Sequence, residues 1–428
     1  MRLSLLCFLV GSSLFFLIKI PSATCQEFLS LQQATARALE ANPDLAAMHA
    51  KALALADIPA QQGSLPDPRL TLNLANLPVD TFSNTQEPMT QMQIGLSQAL
   101  PYPGKLALRQ QVATFEGEAA AYDVEEQRLM LIRDVKTVWW NLYYLDRAME
   151  TVERNQELLR QLEAVAQQKY RVGNGLQQDV LLAQLELSKL LETRLGLEKM
   201  RHNEGDRLKT LLDFPMDQAI KLRADSPVSL PKPVAFDDLI DLANANRPLL
   251  SSLGKRLEAA RLKVDLAEKD YLPDFALGAA YGYRNGLNAN GSERADFASL
   301  SFSMNLPFFA ASRYDHAFSQ RSKEKLAQQL ALRNSRKKVE AEISTAISDF
   351  RIAVDEVTLF NQGIIPQAKQ TVGSMLAGYQ VNKVDFLNLI RAQTSVYNYE
   401  TRYWKAFSTA NQAFARLEAA VGKELPYE

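Results

Sequence analysis

Histidine and cysteine are nearly missing from this chain of 428 residues. Its three histidines, His49, His202 and His316, lie far apart with no partner at ligand spacing. Cys7 and Cys25 are the only cysteines, and Cys7 falls in a leader-like stretch, so neither a disulfide framework nor a thiolate metal site can be built. No acid–base or nucleophile pair can be assembled, so an enzyme is the least supported class, and no catalytic residue, cofactor or metal is expected. Excess charge of one sign is lacking as well. Lys+Arg number 48 against 49 Asp+Glu, a net of -1, which argues against a nucleic-acid surface. The glycine-bearing run Gly286 to Gly291 has no Lys-Ser/Thr for a phosphate, and Met48, Met89, Met92, Met200 and Met304 are too scattered for a metal relay.

Long apolar runs are confined to the N-terminus. Arg2, the run Leu5 to Ile18 and the break at Pro21-Ser22-Ala23-Thr24 read as a secretory signal over residues 1–24. The run is barely long enough for the alternative, a membrane anchor. Cys25 is a candidate lipidated first residue, although Ser22-Ala23-Thr24 departs from the Leu-small-small pattern that precedes such a cysteine. Beyond this leader no stretch approaches the roughly 20 apolar residues of a membrane helix. A membrane segment, if present, must be a β-strand.

Proline is absent between Pro103 and Pro215. Ile132, Val135, Trp139, Leu142, Leu145, Met149, Val152, Leu159, Leu162 and Ala166 step by threes and fours there, as in a coiled coil. A helix from Pro103 to Tyr170 is on the order of 100 Å long. Ser312 to Gly378 predicts a second long helical stretch, kinked by Pro366, and Val384 to Val421 a third.

The chain also repeats itself. Asn42-Pro43-Asp44-Leu45 is echoed by Asn246-Arg247-Pro248-Leu249, and Leu65-Pro66-Asp67 by Leu272-Pro273-Asp274. Leu96 to Pro101 returns as Phe302 to Pro307, and Tyr170-Arg171-Val172 as Tyr379-Gln380-Val381. Four echoes in the same order, roughly 204 to 209 residues apart, indicate duplication. The expected halves are 25–214 and 237–428, joined by a linker at 215–236. Each half holds a helix, a hairpin (about 69–101 and 274–307) and long helices (103–213 and 312–421).

Both hairpins alternate. Leu70, Leu72 and Leu74, then Met92, Ile94 and Leu96, are interleaved with small or polar residues; so are Phe275 to Tyr283 and Leu300 to Leu306. Membrane-barrel strands have this period over about ten residues, and so do soluble hairpins packed on a core. Four strands cannot close a barrel, and an open edge in lipid leaves backbone groups unpaired. Membrane strands would therefore have to be pooled from several chains, and long coils offer the means. Asp80 to Glu87 and Arg284 to Arg294 would be surface loops. Tyr102, Phe308 and Phe309 suit an interfacial aromatic belt or, equally, an ordinary core.

Several motifs resemble the TolC-like outer-membrane efflux proteins across the mature chain. They are Gln98-Ala99-Leu100-Pro101-Tyr102-Pro103-Gly104-Lys105, Tyr170-Arg171-Val172-Gly173-Asn174-Gly175 with Asp179-Val180-Leu181, Ile365-Pro366-Gln367-Ala368 and Val384-Asp385-Phe386-Leu387. The Pro-Gly-Lys junction is most similar to the branch paired with heavy-metal pumps. The resemblance implies a mainly α fold with membrane β: a homotrimer with a twelve-stranded barrel in outer-membrane lipid and a helical periplasmic tunnel. It also implies a passive exit duct served by a periplasmic adaptor and an inner-membrane pump, in efflux or type I secretion. Val172, Gly173, Asn174 and Gly175, with Val381, Asn382 and Lys383, would form the adaptor-docking tips. Asp179, Asp385 and Asn388 are aperture candidates. Helix capping explains the two aspartates as readily, and Asn388 replaces the family's second acid. The rival reading is a periplasmic coiled-coil scaffold with no barrel, which would leave Leu72, Ile94 and Phe302 accessible to water.

Overall fold

The computed structural model describes residues 28–223, 230 and 236–425. The leader and Cys25 lie outside these residues, as do 224–229 and 231–235 of the linker. The elements in chain order are β1 (Phe28–Leu29), α1 (Leu31–Ala41), α2 (Pro43–Ala56), α3 (Ile58–Gly63), β2 (Arg69–Ala75), β3 (Gln91–Leu100), α4 (Lys105–Arg171) and α5 (Gln177–Leu212). Then come β4 (Lys221–Leu222), α6 (Phe236–Asn246), α7 (Pro248–Lys269), β5 (Phe275–Tyr283), β6 (Phe297–Met304), α8 (Asp315–Thr358), α9 (Ile365–Gln380) and α10 (Phe386–Val421). Single π-helical turns precede α8 (Ala310–Tyr314) and α9 (Leu359–Ile364).

Local chemistry explains the repeated motifs. Asn42 accepts from the Leu45 N–H at 3.1 Å, Pro43 takes the first position of α2, and Asp44 faces its dipole. In the second copy Pro248 opens α7 the same way, but the residue before it is Arg247, which caps nothing. Its buried guanidinium instead binds Glu126 of α4 at 2.7 Å. The motif is thus a helix boundary, reused in the second half to lock one helix to another.

The 67 residues of α4 span on the order of 100 Å. Val135, Trp139, Leu142, Leu145, Val152, Leu159, Leu162 and Ala166 are buried as their spacing predicts. Ile132 and Met149 are only half-buried, and Leu131 and Ala148 take the interior places. A helix turning 3.6 residues per turn drifts from a strict heptad, and the stripe shifts by one residue. Near mid-coil, Trp140 of α4 meets Phe407 of α10 edge-on at 5.9 Å, and Tyr143 meets Trp404 edge-on at 6.1 Å. Beyond this cluster Leu159, Leu162, Ala183, Leu190, Phe386 and Leu389 form the core towards the turns.

The four-stranded sheet is antiparallel throughout, in the order β2-β3-β5-β6. Its register sorts the side chains. Leu70 lies opposite Leu96, Leu72 opposite Ile94, and Ile94 in turn opposite Tyr281. Thr71, Gly95, Ala280 and Ser299 line up on the other face. No helix among the described residues is long and apolar enough to cross a membrane.

Candidate functional site

The apolar face of the sheet is bare. Leu72 is 74% exposed, Leu300 90% and Phe302 60%, and Leu70, Ile94, Leu96 and Leu277 are also exposed. A patch of this kind marks a surface meant for lipid or protein. The opposite face forms a shallow concavity lined by Thr71, Asn73, Gln93, Gly95, Gly278 and Ser301. A Cβ at Gly278 would come within 2.6 Å of Ser301 Oγ, so a side chain at this position would have to displace that hydroxyl. At the far end Arg294 donates to the carbonyls of Glu87 (3.0 Å) and Thr85 (3.2 Å), and Arg284 to that of Pro88 (3.2 Å). The two predicted surface loops are thus tied together. Phe308 and Phe309 are 80% and 77% exposed, which removes the core reading for both; Tyr102 leans on Phe275 at 6.4 Å.

The motif Pro103-Gly104-Lys105 turns the chain from strand to helix. Gly104 adopts a φ of 91°, open to glycine at little cost. Lys105 is then buried, with its Nζ 3.0 Å from Asp274 and 3.2 Å from Asp270. Asp274 also accepts the Tyr102 N–H at 2.8 Å, so the Leu-Pro-Asp motif of one hairpin clasps the Pro-Gly-Lys motif of the other. Both motifs are visible in the sequence; their pairing over more than 160 positions is not.

The two turns lie together at the other end of the coils and share one geometry. After α4, Asn174 N–H donates to Lys169 O (2.9 Å) and Gly173 N–H to Tyr170 O (3.0 Å), with Gly173 left-handed at a φ of 76°. After α9, Lys383 N–H donates to Gly378 O (2.9 Å) and Asn382 N–H to Tyr379 O (3.2 Å), with Asn382 at a φ of 62°. Each is a helix end closed on a left-handed residue, for which glycine comes first and asparagine second. Val172 and Val381 hold matching places and stand 59% and 63% exposed. Gly175 packs closely, since a Cβ there would lie 2.9 Å from Tyr170 N.

Lys169 and Tyr379, which the motifs did not single out, join the turns. The Lys169 ammonium lies 4.3 Å from the Tyr379 ring centre and donates to the carbonyl of Tyr379 and to Asn382 Oδ1. The Tyr379 hydroxyl donates to Asp179 at 3.2 Å, and burial followed by the Asp179 charge pushes its pKa above the ordinary phenol value. Asp179 stands in the first turn of α5 and so combines a dipole position with this cross-half bond. Asp385 occupies the N-cap of α10 by its backbone, yet its carboxylate caps nothing; Asp385 and Asn388 are exposed. Among the described residues no group of three or more His, Cys, Asp or Glu could hold a metal ion.

Long antiparallel coils crowned by a two-faced, open-edged sheet define an outer-membrane channel fold. The chain belongs to the outer membrane efflux protein family, whose match covers residues 34–212 and 239–423, one segment per half. It is 26% identical over 273 residues to the alkaline protease secretion protein AprF of Pseudomonas aeruginosa, covering 60% of this chain. It spans about half the length of the curated relatives it matches, between 41% and 54%. The fold superposes on the outer-membrane channel OprN with a TM-score of 0.77 at 19% identity, over 92% of this chain and 90% of that one. CusC fits equally well, at 0.77 and 15% identity over 92% of each chain. The fold is therefore shared by both and does not single out a heavy-metal branch.

Proposed function

We propose that the chain is one of three identical subunits of an outer-membrane exit duct. The sheets close into a barrel in lipid, and the coils continue as a tunnel towards a periplasmic adaptor and an inner-membrane pump, in an efflux or type I secretion system. The single observation that carries this reading is the sheet: its apolar face is exposed and its two edges are open, so one chain alone cannot satisfy it in lipid or in water. A scaffold without a barrel would leave that face in water, and a spin label at Phe302 that reports lipid separates the two readings. The duct is passive and works without catalysis; selection of cargo falls to the pump. Val172, Gly173, Asn174 and Gly175, together with Val381, Asn382 and Lys383, form the docking tips. In a trimer Asp179 and Asp385 each become a ring of three carboxylates that favours cations at the entrance.

Light scattering of detergent-extracted protein tests the assembly. The expected particle contains three chains and stays intact under mild denaturation. A monodisperse monomer in plain buffer overturns the proposal.

A further inference from the structure

Charge is almost excluded from the sheet. Arg69, the first residue of β2, is the only Asp, Glu, Lys or Arg in its four strands. Strand alternation sets it on the face of Thr71 and Asn73, away from Leu70 and Leu72. It stands opposite Ser97, and the row continues through Gly278 to Ser301, so no carboxylate faces it across the sheet. Arg69 is exposed, and among the described residues its guanidinium has no hydrogen-bonding or ionic partner. The nearest acid along the chain, Asp67, precedes the strand and forms no ion pair with it.

The hairpin plan does not call for a cation here. Shifting β2 by 207 positions and β3 by 206 carries Arg69 opposite Ser97 onto Ala276 opposite Ser303. The second copy of the hairpin thus holds the same place with alanine. Other cations near the sheet have partners. At the loop end Arg284 stacks on Phe297 at 3.8 Å and donates to the carbonyl of Ala295 at 2.6 Å. At the end that joins the coils, Lys105 is buried between Asp270 and Asp274. Within the wall itself Arg69 alone carries an unpaired charge, and a guanidinium keeps it at any working pH.

In the barrel proposed above, the face of Thr71 and Asn73 lines the wet bore, because the apolar face meets lipid. We propose that Arg69 of three copies forms a ring of positive charge where the tunnel opens into the barrel, and that this ring favours anionic solutes, those bearing carboxylate or phosphate. This rests on the trimeric duct and gives its bore a preference by charge. Rings of Arg or Lys are how anion pores select. Three four-stranded sheets, with strands about 4.8 Å apart and tilted by about 40°, close a wall of about 12 Å radius. Three unit charges within about 10 Å of the axis enrich an anion there about fourfold at about 0.01 M salt, where the Debye length is about 30 Å. At about 1 M, where that length is about 3 Å, the enrichment vanishes. The carboxylate rings proposed at the tips act in the opposite sense, so the two ends of the tunnel filter opposite charges.

Reversal potentials of the purified full-length protein in planar bilayers under a KCl gradient test the ring. An Asp179→Asn/Asp385→Asn background removes the tip carboxylates. There Arg69→Ala is expected to lower the chloride-to-potassium permeability ratio about fourfold at about 0.01 M salt and to leave it unchanged at about 1 M. Arg69→Glu should invert the preference, and Arg69→Lys should retain it. The lysine and glutamate variants keep the test decisive should the alanine variant fail to assemble. An unchanged ratio in Arg69→Ala and Arg69→Glu pores overturns the filter and leaves the duct standing. A lysine variant that loses the preference also overturns the filter. Protein that stays monomeric throughout overturns the duct itself, and the ring with it.

Discussion

From strand to tip the first half runs as one helix of 67 residues, whereas the second covers the matching path with helices of 44 and 16 residues joined by a π-helical turn at Leu359–Ile364. The cause is in the sequence. α4 has no proline, while Pro366 removes a backbone donor and its ring presses on the preceding turn. Widening one turn to π geometry accommodates both effects. The first half is thus a strut and the second a strut with a joint, yet both end in the same left-handed cap. Uninterrupted length is dispensable for the plan; the geometry of the turn is kept.

The comparison breaks first at the tips. If both dock, Val172→Asp and Val381→Asp each reduce export to background while the three-chain particle persists; a loss confined to one variant would assign docking to that half alone.

Next in size is the bond between the halves. Lys136 of α4 lies 2.7 Å from Glu418 of α10, both nearly buried. Lys136→Met should cost about 3–5 kcal/mol in thermal unfolding, because it strands the carboxylate. The pair replacement Lys136→Met/Glu418→Leu should be neutral or stabilising by about 1–4 kcal/mol. Burial raises the Glu418 pKa above its ordinary 4.5, with Lys136 pulling the other way. The folded chain therefore holds that proton more tightly than the unfolded one. Glu418's contribution is full below the ordinary value and is lost as pH rises through the raised one. The pair variant should lose that slope; an unchanged slope would assign it to other groups.

The smallest effects concern the caps. Gly175→Ala meets backbone at 2.9 Å and should cost about 1–3 kcal/mol, more than Gly378→Ala, which meets only the Val384 side chain. Gly173→Ala should cost about 1–2 kcal/mol because of its positive φ, and Gly173→Asn less, since the second half uses asparagine there. Equal melting shifts for alanine and asparagine would show that the conformation is not the constraint.

Much of this architecture was legible because it is periodic. The alternation of Leu70 to Leu74 gave strands and a two-faced sheet, the proline gap gave α4, and the echoes gave two halves. Pro366 marked the site of the π turn. The clasp of Lys105 with Asp274, the pair Lys136–Glu418 and the Lys169–Tyr379–Asp179 cluster were hidden. Each joins residues more than 160 positions apart, and no local pattern distinguishes a buried lysine from a solvated one. Ile132 and Met149 lie at the margin of the stripe, half-buried, for a related reason: heptad spacing tracks a stripe only until helical drift moves it.

The strand order has a bearing on how the chain is made. Each hairpin can zip from its own loop, but β3 reaches β5 only across the whole of α4, α5, α6 and α7. Local contacts form quickly, and distant ones wait for a long loop to close. Each hairpin can therefore form before β3 and β5 pair, and the four-stranded sheet is complete only once that loop has closed. Until then β3 and β5 are edges as well, and the backbone groups left without partners are twice those of the finished sheet.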